Sequence, residues 1–178
     1  MHAAWGAVVT RGGNEHSARD YLHALLEHTV RLDPGARRAA GTFTVEKRGD
    51  VQLAWENDAL REVGDNATDL EVVYPPVSNL AEPYVAWVDA NVARHHTARE
   101  AQPYLSFLFS DDALRIIAQP GYRPYDPRFA ASSAPLTLFP VTAIARDWDD
   151  ANHRFFDENG ILDSVSRSAS IATKGSRS

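Results

Sequence analysis

The period of the apolar positions changes several times along this chain, and each change marks an element. Residues 17–30, SARDYLHALLEHTV, set Leu22, Leu25, Leu26 and Val30 at helical spacing with Ser17 and Asp20 as a capping pair, which predicts a helix from about Ser17 to Thr29. Asp33-Pro34-Gly35 is a turn. After it, Ala36 to Thr42 reads as a short helix whose first amides lack intrahelical acceptors. Alternation over DVQLAW (50–55) predicts a strand, and ENDALREV then reads as a helix closed by Gly64. DLEVVYPP and EPYVAWVD are β-branched and aromatic and predict two further strands, the first ended by Pro75 and Pro76. Two helical segments follow from Thr97. Pro103 should kink the first or move its start, and Ser110 caps the second, which Pro120-Gly121 ends. LTLFP (136–140) is a last short strand. VTAIARDWDDANHRFFDENG reads as an amphipathic helix or helix pair stopped by Asn159-Gly160.

Helices and strands alternating in this order predict an α/β fold, a mixed sheet flanked by helices, with ligands beyond the carboxyl ends of the strands. The chain has 178 residues, 44% of them apolar and 24% charged. That suffices for one good core. A formal charge of −6 excludes the basic face that nucleic acid or an anionic membrane surface requires. Cysteine is absent, so thiolate metal sites, cysteine nucleophiles and disulfide frameworks are excluded as well. No apolar run reaches the length of a membrane span, and MHAAWGAVVTRGG lacks the basic region and cleavage site of a signal peptide. AAWGAVV reads as a buried segment, helical or extended, with nothing ahead to cover it, which is the look of a cut domain. The Ser-rich stretch from Ser164 predicts a disordered tail.

Two places combine a helix opening with neutral donors. The turn at Gly35 leads into amides at the start of a helix, where the macrodipole favours an anion, and Trp55 ends a predicted strand with an indole N–H that can only donate. Together these suit a fully ionised oxyanion such as sulfate. The competing readings are ordinary ones. A tryptophan after a strand most often fills a core, and Arg37 alone would pass for a surface or salt-bridged residue. His95 and His96 are adjacent and diverge on any regular element, so they do not predict a metal site. Glu56, Asp58 and Glu62 fit the acidic first turns of a helix better than paired acid-base carboxylates. DWDDANHRFFDE lacks the glycine of a calcium loop, and NAT at Asn66 is an incidental acceptor pattern.

The series AAWGA (3–7), LDPGARRAAGTF (32–43), GDVQLAWENDAL (49–60), NLAEPYVAWVD (79–89), YLSFLFSDDA (104–113), YRPYDP (122–127) and LTLFPV (136–141) resembles the carboxy-terminal half of the periplasmic sulfate- and thiosulfate-binding proteins of ABC importers. The resemblance implies a periplasmic-binding-protein-like (type II) lobe over residues 1–140, with 141–163 crossing to a second, amino-terminal lobe that is missing, and the tail at 164–178. It implies that Ala36 gives a main-chain N–H and Trp55 its indole N–H to a sulfate or thiosulfate anion, with Gly35 opening the approach and Arg37 as a buried arginine steadying the site. It implies a periplasmic location although this chain shows no signal peptide, an ABC permease as partner, no cofactor, no metal and no catalysis. The alternative is a structural remnant that keeps the fold and binds nothing. Without its second lobe, the segment 143–156 should have the apolar face of Ile144, Trp148, Phe155 and Phe156 exposed, self-associated or folded back onto the lobe.

Overall fold

The computed structural model describes residues 1–65, 69–130 and 134–167. In chain order the elements are helices α1 (His2–Val9), α2 (Glu15–Glu27), α3 (Ala36–Thr44) and α4 (Glu56–Asp65), strand β1 (Val77–Asn79), helices α5 (Asp89–His95), α6 (Ala98–Phe107) and α7 (Asp111–Ala118), strand β2 (Thr137–Phe139) and helix α8 (Trp148–Phe156). Short 3-10 turns at Pro127–Phe129 and Val141–Ala143 complete the order, and residues 161–167 are also helical. The chain divides into two compact units. The first comprises Met1–Leu32, Tyr74–Ala81 and the chain from Pro135 onward; the second comprises Asp33–Val73 and Glu82–Ala134.

The first unit has a packed interior. HAAWGAVV is apolar on all sides, so α1 can be covered on several faces at once. It packs against α2 and β1, and Gly6 lies directly under the Phe139 ring. Asn14 caps α2: its side chain accepts the Ser17 N–H at 2.9 Å while Ser17 Oγ accepts the Asn14 N–H at 2.9 Å. The cap expected at Ser17 therefore sits three residues earlier, with Ser17 as its reciprocal partner. β1 and β2 pair in parallel, with Val77 opposite Thr137 and Asn79 opposite Phe139. Asp147 caps α8 by accepting the Asp150 N–H at 2.8 Å. α8 ends at Phe156 with Asp157 in extended backbone as its C-cap, ahead of the stop expected at Asn159-Gly160; there Asn159 is left-handed (φ 65°) and the Gly160 amide donates to the Asp157 carbonyl at 2.8 Å. Trp5, Leu22, Phe139, Ile144, Phe155, Ile161 and Val165 form one buried cluster. The apolar face of 143–156 is thus mostly folded onto this unit, although Phe156 stays half exposed. Four residues of the tail set at Ser164 are helical, with Val165 in the core; the remaining tail, like Asn66, lies outside the described residues.

The second unit is built differently. It holds α3 to α7, and Leu114 is the one large apolar side chain buried among its described residues. The strands expected at 50–55 and 82–89 are absent, and 69–76 contributes none of its residues to β1, which begins just after Pro75-Pro76. Among the described residues the architecture is mixed helix with a small, two-stranded sheet, fewer strands than expected. The reason is partnership: a strand exists only through its neighbour's ladder and side chains. Among the described residues no backbone hydrogen bond reaches residues 50–54 or 82–87. Pro103 is accommodated inside α6.

Candidate functional site

The α3 end is built from the turn Asp33-Pro34-Gly35 followed by alanines and arginines, which favour helix. Gly35 is its N-cap, in extended backbone (φ 168°, ψ 164°), and no side chain caps the helix. The first intrahelical bond runs from the Ala39 N–H to the Gly35 carbonyl at 3.0 Å. The amides of Ala36, Arg37 and Arg38 therefore have no acceptor among the described residues, and Ala36 is exposed. A Cβ placed on Gly35 would meet nothing within 4 Å. Packing does not require glycine there, and the space before the helix end is open.

Trp55 immediately precedes α4, and its carbonyl accepts the Ala59 N–H at 2.9 Å. Glu56 and Asp58 occupy the first turn, where the dipole favours acids. Arg123 fixes this end: its Nη2 donates to Glu56 Oε1 at 2.7 Å and to the Ala134 carbonyl at 2.8 Å. The indole of Trp55 is 61% exposed, which sets aside the core-filler reading. Its ring N–H has no acceptor among the described residues, whereas Trp87 in the same unit donates its ring N–H to Asp89 Oδ1 at 2.8 Å. Of these two indoles, Trp55 keeps a donor to spare. α3 and α4 touch, and Ala36, which opens α3, and Trp55, which directly precedes α4, belong to one unit.

Arg37 is exposed, not buried as the resemblance implied. The covered side of α3 is marked by Ala39, Thr42 and Phe43, and a residue two positions before Ala39 lies about 200° around the helix. Arg38 carries the local ion pairing instead, with Nε 3.7 Å from Asp33 Oδ1 and Nη2 2.9 Å from Glu46 Oε1. Asp33 is almost wholly covered, its side chain 3% exposed, so Arg38 offsets the one acid closest in sequence to the helix opening. Neither Arg38 nor Arg123 was singled out from the sequence. Both stand inside stretches that carry the resemblance, but a partner 67 residues away, as for Arg123, leaves no local pattern.

The neighbouring carboxylates are engaged with other groups. Asp58 meets Arg61 at 3.0 Å, and Glu62 accepts from Gln52 at 3.3 Å. Burial pushes the Glu62 carboxyl up. His95 lies in the last turn of α5 and His96 follows it in a left-handed conformation. Among the described residues no group of three or more His, Asp or Glu side chains is placed to hold a metal ion. Around α3 and α4 the described residues leave main-chain amides and the Trp55 ring N–H without acceptors, groups that donate a hydrogen bond without exchanging a proton.

Comparison with known proteins places the chain. Residues 2–123 match the model of the bacterial extracellular solute-binding proteins, and the chain belongs to this family. A thiosulfate-binding protein of Pseudomonas aeruginosa is 35% identical over 170 residues, which is 92% of this chain and 51% of that protein. Sulfate-binding proteins of Salmonella typhimurium and Escherichia coli are 34% and 35% identical over 171 residues, 93% of this chain and 52% of each of theirs. The chain thus spans about half the length of the curated relatives it matches. Among the described residues no helix is long and apolar enough to cross a membrane.

Proposed function

We propose that this chain binds sulfate or thiosulfate through the Ala36 amide and the Trp55 indole, with Gly35 leaving the approach open and Arg37 adding positive potential. In this reading it is part of a periplasmic solute-binding component of ABC-type import, working with a permease. It supplies a type II lobe and one wall of the anion site; the opposite wall belongs to a second lobe. The observation that carries the reading is that the Ala36 amide opening α3 and the Trp55 indole ahead of the touching helix α4 both lack acceptors among the described residues, in a chain whose relatives are named for these two anions.

Energetics set how strong binding by this wall can be. Hydrogen bonds to a charged group contribute about 1.5 to 3 kcal/mol each, so two supply roughly 3 to 6 kcal/mol, against an association cost of about 4 kcal/mol or more. The surplus is about 2 kcal/mol at most, a Kd in the tens of millimolar. The test is a nitrogen-15 correlation spectrum during titration with sodium sulfate, against sodium chloride at matched ionic strength. The Ala36 amide and Trp55 indole signals should move with sulfate and not with chloride. Equal movement with both salts removes the binding claim and leaves the non-binding remnant.

A further inference from the structure

Glu56 is the carboxylate joined directly to Trp55 in the chain, and it opens α4. The helix dipole favours an acid at that end. Left unpaired, however, Glu56 would place a negative charge next to the residue that donates to the anion, and like charges at short range repel. Asp58 and Glu62 of the same helix find partners close by in sequence, Asp58 with Arg61 at 3.0 Å and Glu62 with Gln52 at 3.3 Å. Glu56 takes its partner from 67 residues away. Arg123 donates from Nε to Glu56 Oε2 and from Nη2 to Glu56 Oε1, the latter at 2.7 Å, so one planar guanidinium occupies both carboxylate oxygens. The same Nη2 donates to the Ala134 carbonyl at 2.8 Å. A lysine ammonium has no such fork. The side chains are 25% and 20% exposed, so salt screens this pair less than a fully solvated one. The backbone delivers the guanidinium to the helix opening. Beyond α7, Gly121 is left-handed (φ 88°) and its N–H returns to the Ala118 carbonyl at 3.1 Å. It passes directly against α4: a Cβ at Gly121 would lie 2.6 Å from Leu60 Cδ1 and 3.5 Å from the Asn57 Cα.

We propose that Arg123 is a positioning residue for anion binding that acts through Glu56: by holding both oxygens of that carboxylate it cancels the negative charge beside Trp55, so a dianion can approach the indole N–H. The opening of α3 repeats the arrangement, because Asp33, three residues before Ala36, has Arg38 Nε at 3.7 Å. Each donor of the anion site thus stands near one acid that an arginine offsets. The inference rests on the sulfate-binding reading and adds a condition to it: the Trp55 donor is usable only while the acid that follows it is neutralised.

The experiment is a nitrogen-15 titration with sodium sulfate at constant ionic strength held by sodium chloride, read at the Trp55 indole and the Ala36 amide. It is run on wild type, Arg123→Gln, Glu56→Gln and the double variant. Arg123→Gln leaves Glu56 charged and without its guanidinium, and the sulfate needed for half the shift should rise at least about threefold, more at Trp55 than at Ala36. Glu56→Gln should lower that requirement, because the guanidinium is then unopposed. Combining the two substitutions should return it to the wild-type value, an outcome that a merely structural contact does not produce. A double variant as weak as Arg123→Gln overturns the proposal, and so does a Glu56→Gln variant weaker than wild type, since the pair then only holds the helix in place. Should Arg123→Gln lose the helical dichroism of wild type, the direction of the change in Glu56→Gln decides alone. A wild-type chain that responds equally to sulfate and chloride removes the anion reading and this inference with it. A wild-type chain that responds to sulfate, with all three variants following it unchanged, removes this inference only.

Discussion

Two guanidinium carbons lie over the ring of Trp5, Arg19 at 5.9 Å and Arg154 at 5.5 Å from its centroid. Glu15 bridges them, accepting from Arg19 at 3.0 Å and Arg154 at 2.8 Å. The hydrogen bond from Arg19, with the charge of Arg154 behind it, holds the Glu15 carboxyl below the usual glutamate value of 4.5. A depressed native pKa contributes stability above the unfolded pKa and loses it as the pH falls through the native value. Glu15→Gln should therefore lower the thermal midpoint at pH 7, with a stability loss of less than about 1 kcal/mol for so exposed a group. The difference from wild type should vanish in melts run progressively below pH 4.5. At the candidate anion site, Ala36→Pro isolates one donor. Proline is tolerated at the first helical position and removes an N–H that has no intrahelical acceptor, and the extended backbone of Gly35 suits a residue before proline. Circular dichroism should be unchanged, while the sulfate-specific shift of the Trp55 indole signal should need about tenfold more sulfate, the weight of one charged hydrogen bond.

At the level of elements, most helices were legible, α5 excepted, and most strands were not, β2 excepted, for a physical reason. The stripe Leu22–Leu25–Leu26 and the cap at Ser110 are local signals that a helix satisfies with its own chain. DVQLAW alternates and EPYVAWVD is β-branched and aromatic, yet a strand needs a partner the sequence does not specify, and none is paired with them among the described residues. β2 formed where LTLFP predicted it because β1 lies beside it. The candidate site divides the same way: a helix opening near Ala36 was readable from the turn before it, whereas the exposure of Trp55 and of Arg37 depends on which faces the fold covers. The α1–β2 contact gives a direct test of the packed unit. A Cβ at Gly6 would fall 2.0 to 2.7 Å from ring atoms of Phe139, closer than atoms can approach. Gly6→Ala should destabilise the first unit by about 1 to 3 kcal/mol through overpacking, offset only in part by alanine's helix preference of about 1 kcal/mol. A denaturant titration followed by Trp5 fluorescence should show the earlier midpoint.

Across the whole molecule, stability is distributed unevenly, and this decides how the chain should unfold. The first unit joins residues from both ends of the sequence around Trp5, Leu22, Phe139 and Phe155, so its opening requires exposing a contiguous apolar cluster at once. The second buries Leu114 with Ala113, Thr42 and Glu62, two of these four side chains being polar. Burial of about 25 cal/mol per Å² of apolar surface is the main term opposing chain entropy, and a unit with so little of it has almost nothing to lose on opening. Thermal unfolding should then depart from a single two-state transition. Near-ultraviolet dichroism from the enclosed Trp5 should report one sharp step, while helicity contributed by α3 to α7 should decline over a broad range beginning at lower temperature. Limited proteolysis should nick first within 51–55 and 82–88, leaving a resistant core that contains α1, α2 and α8. Coincident transitions by both probes, with cleavage spread evenly over the two units, would mean that the apolar segments of the second unit are already covered in solution.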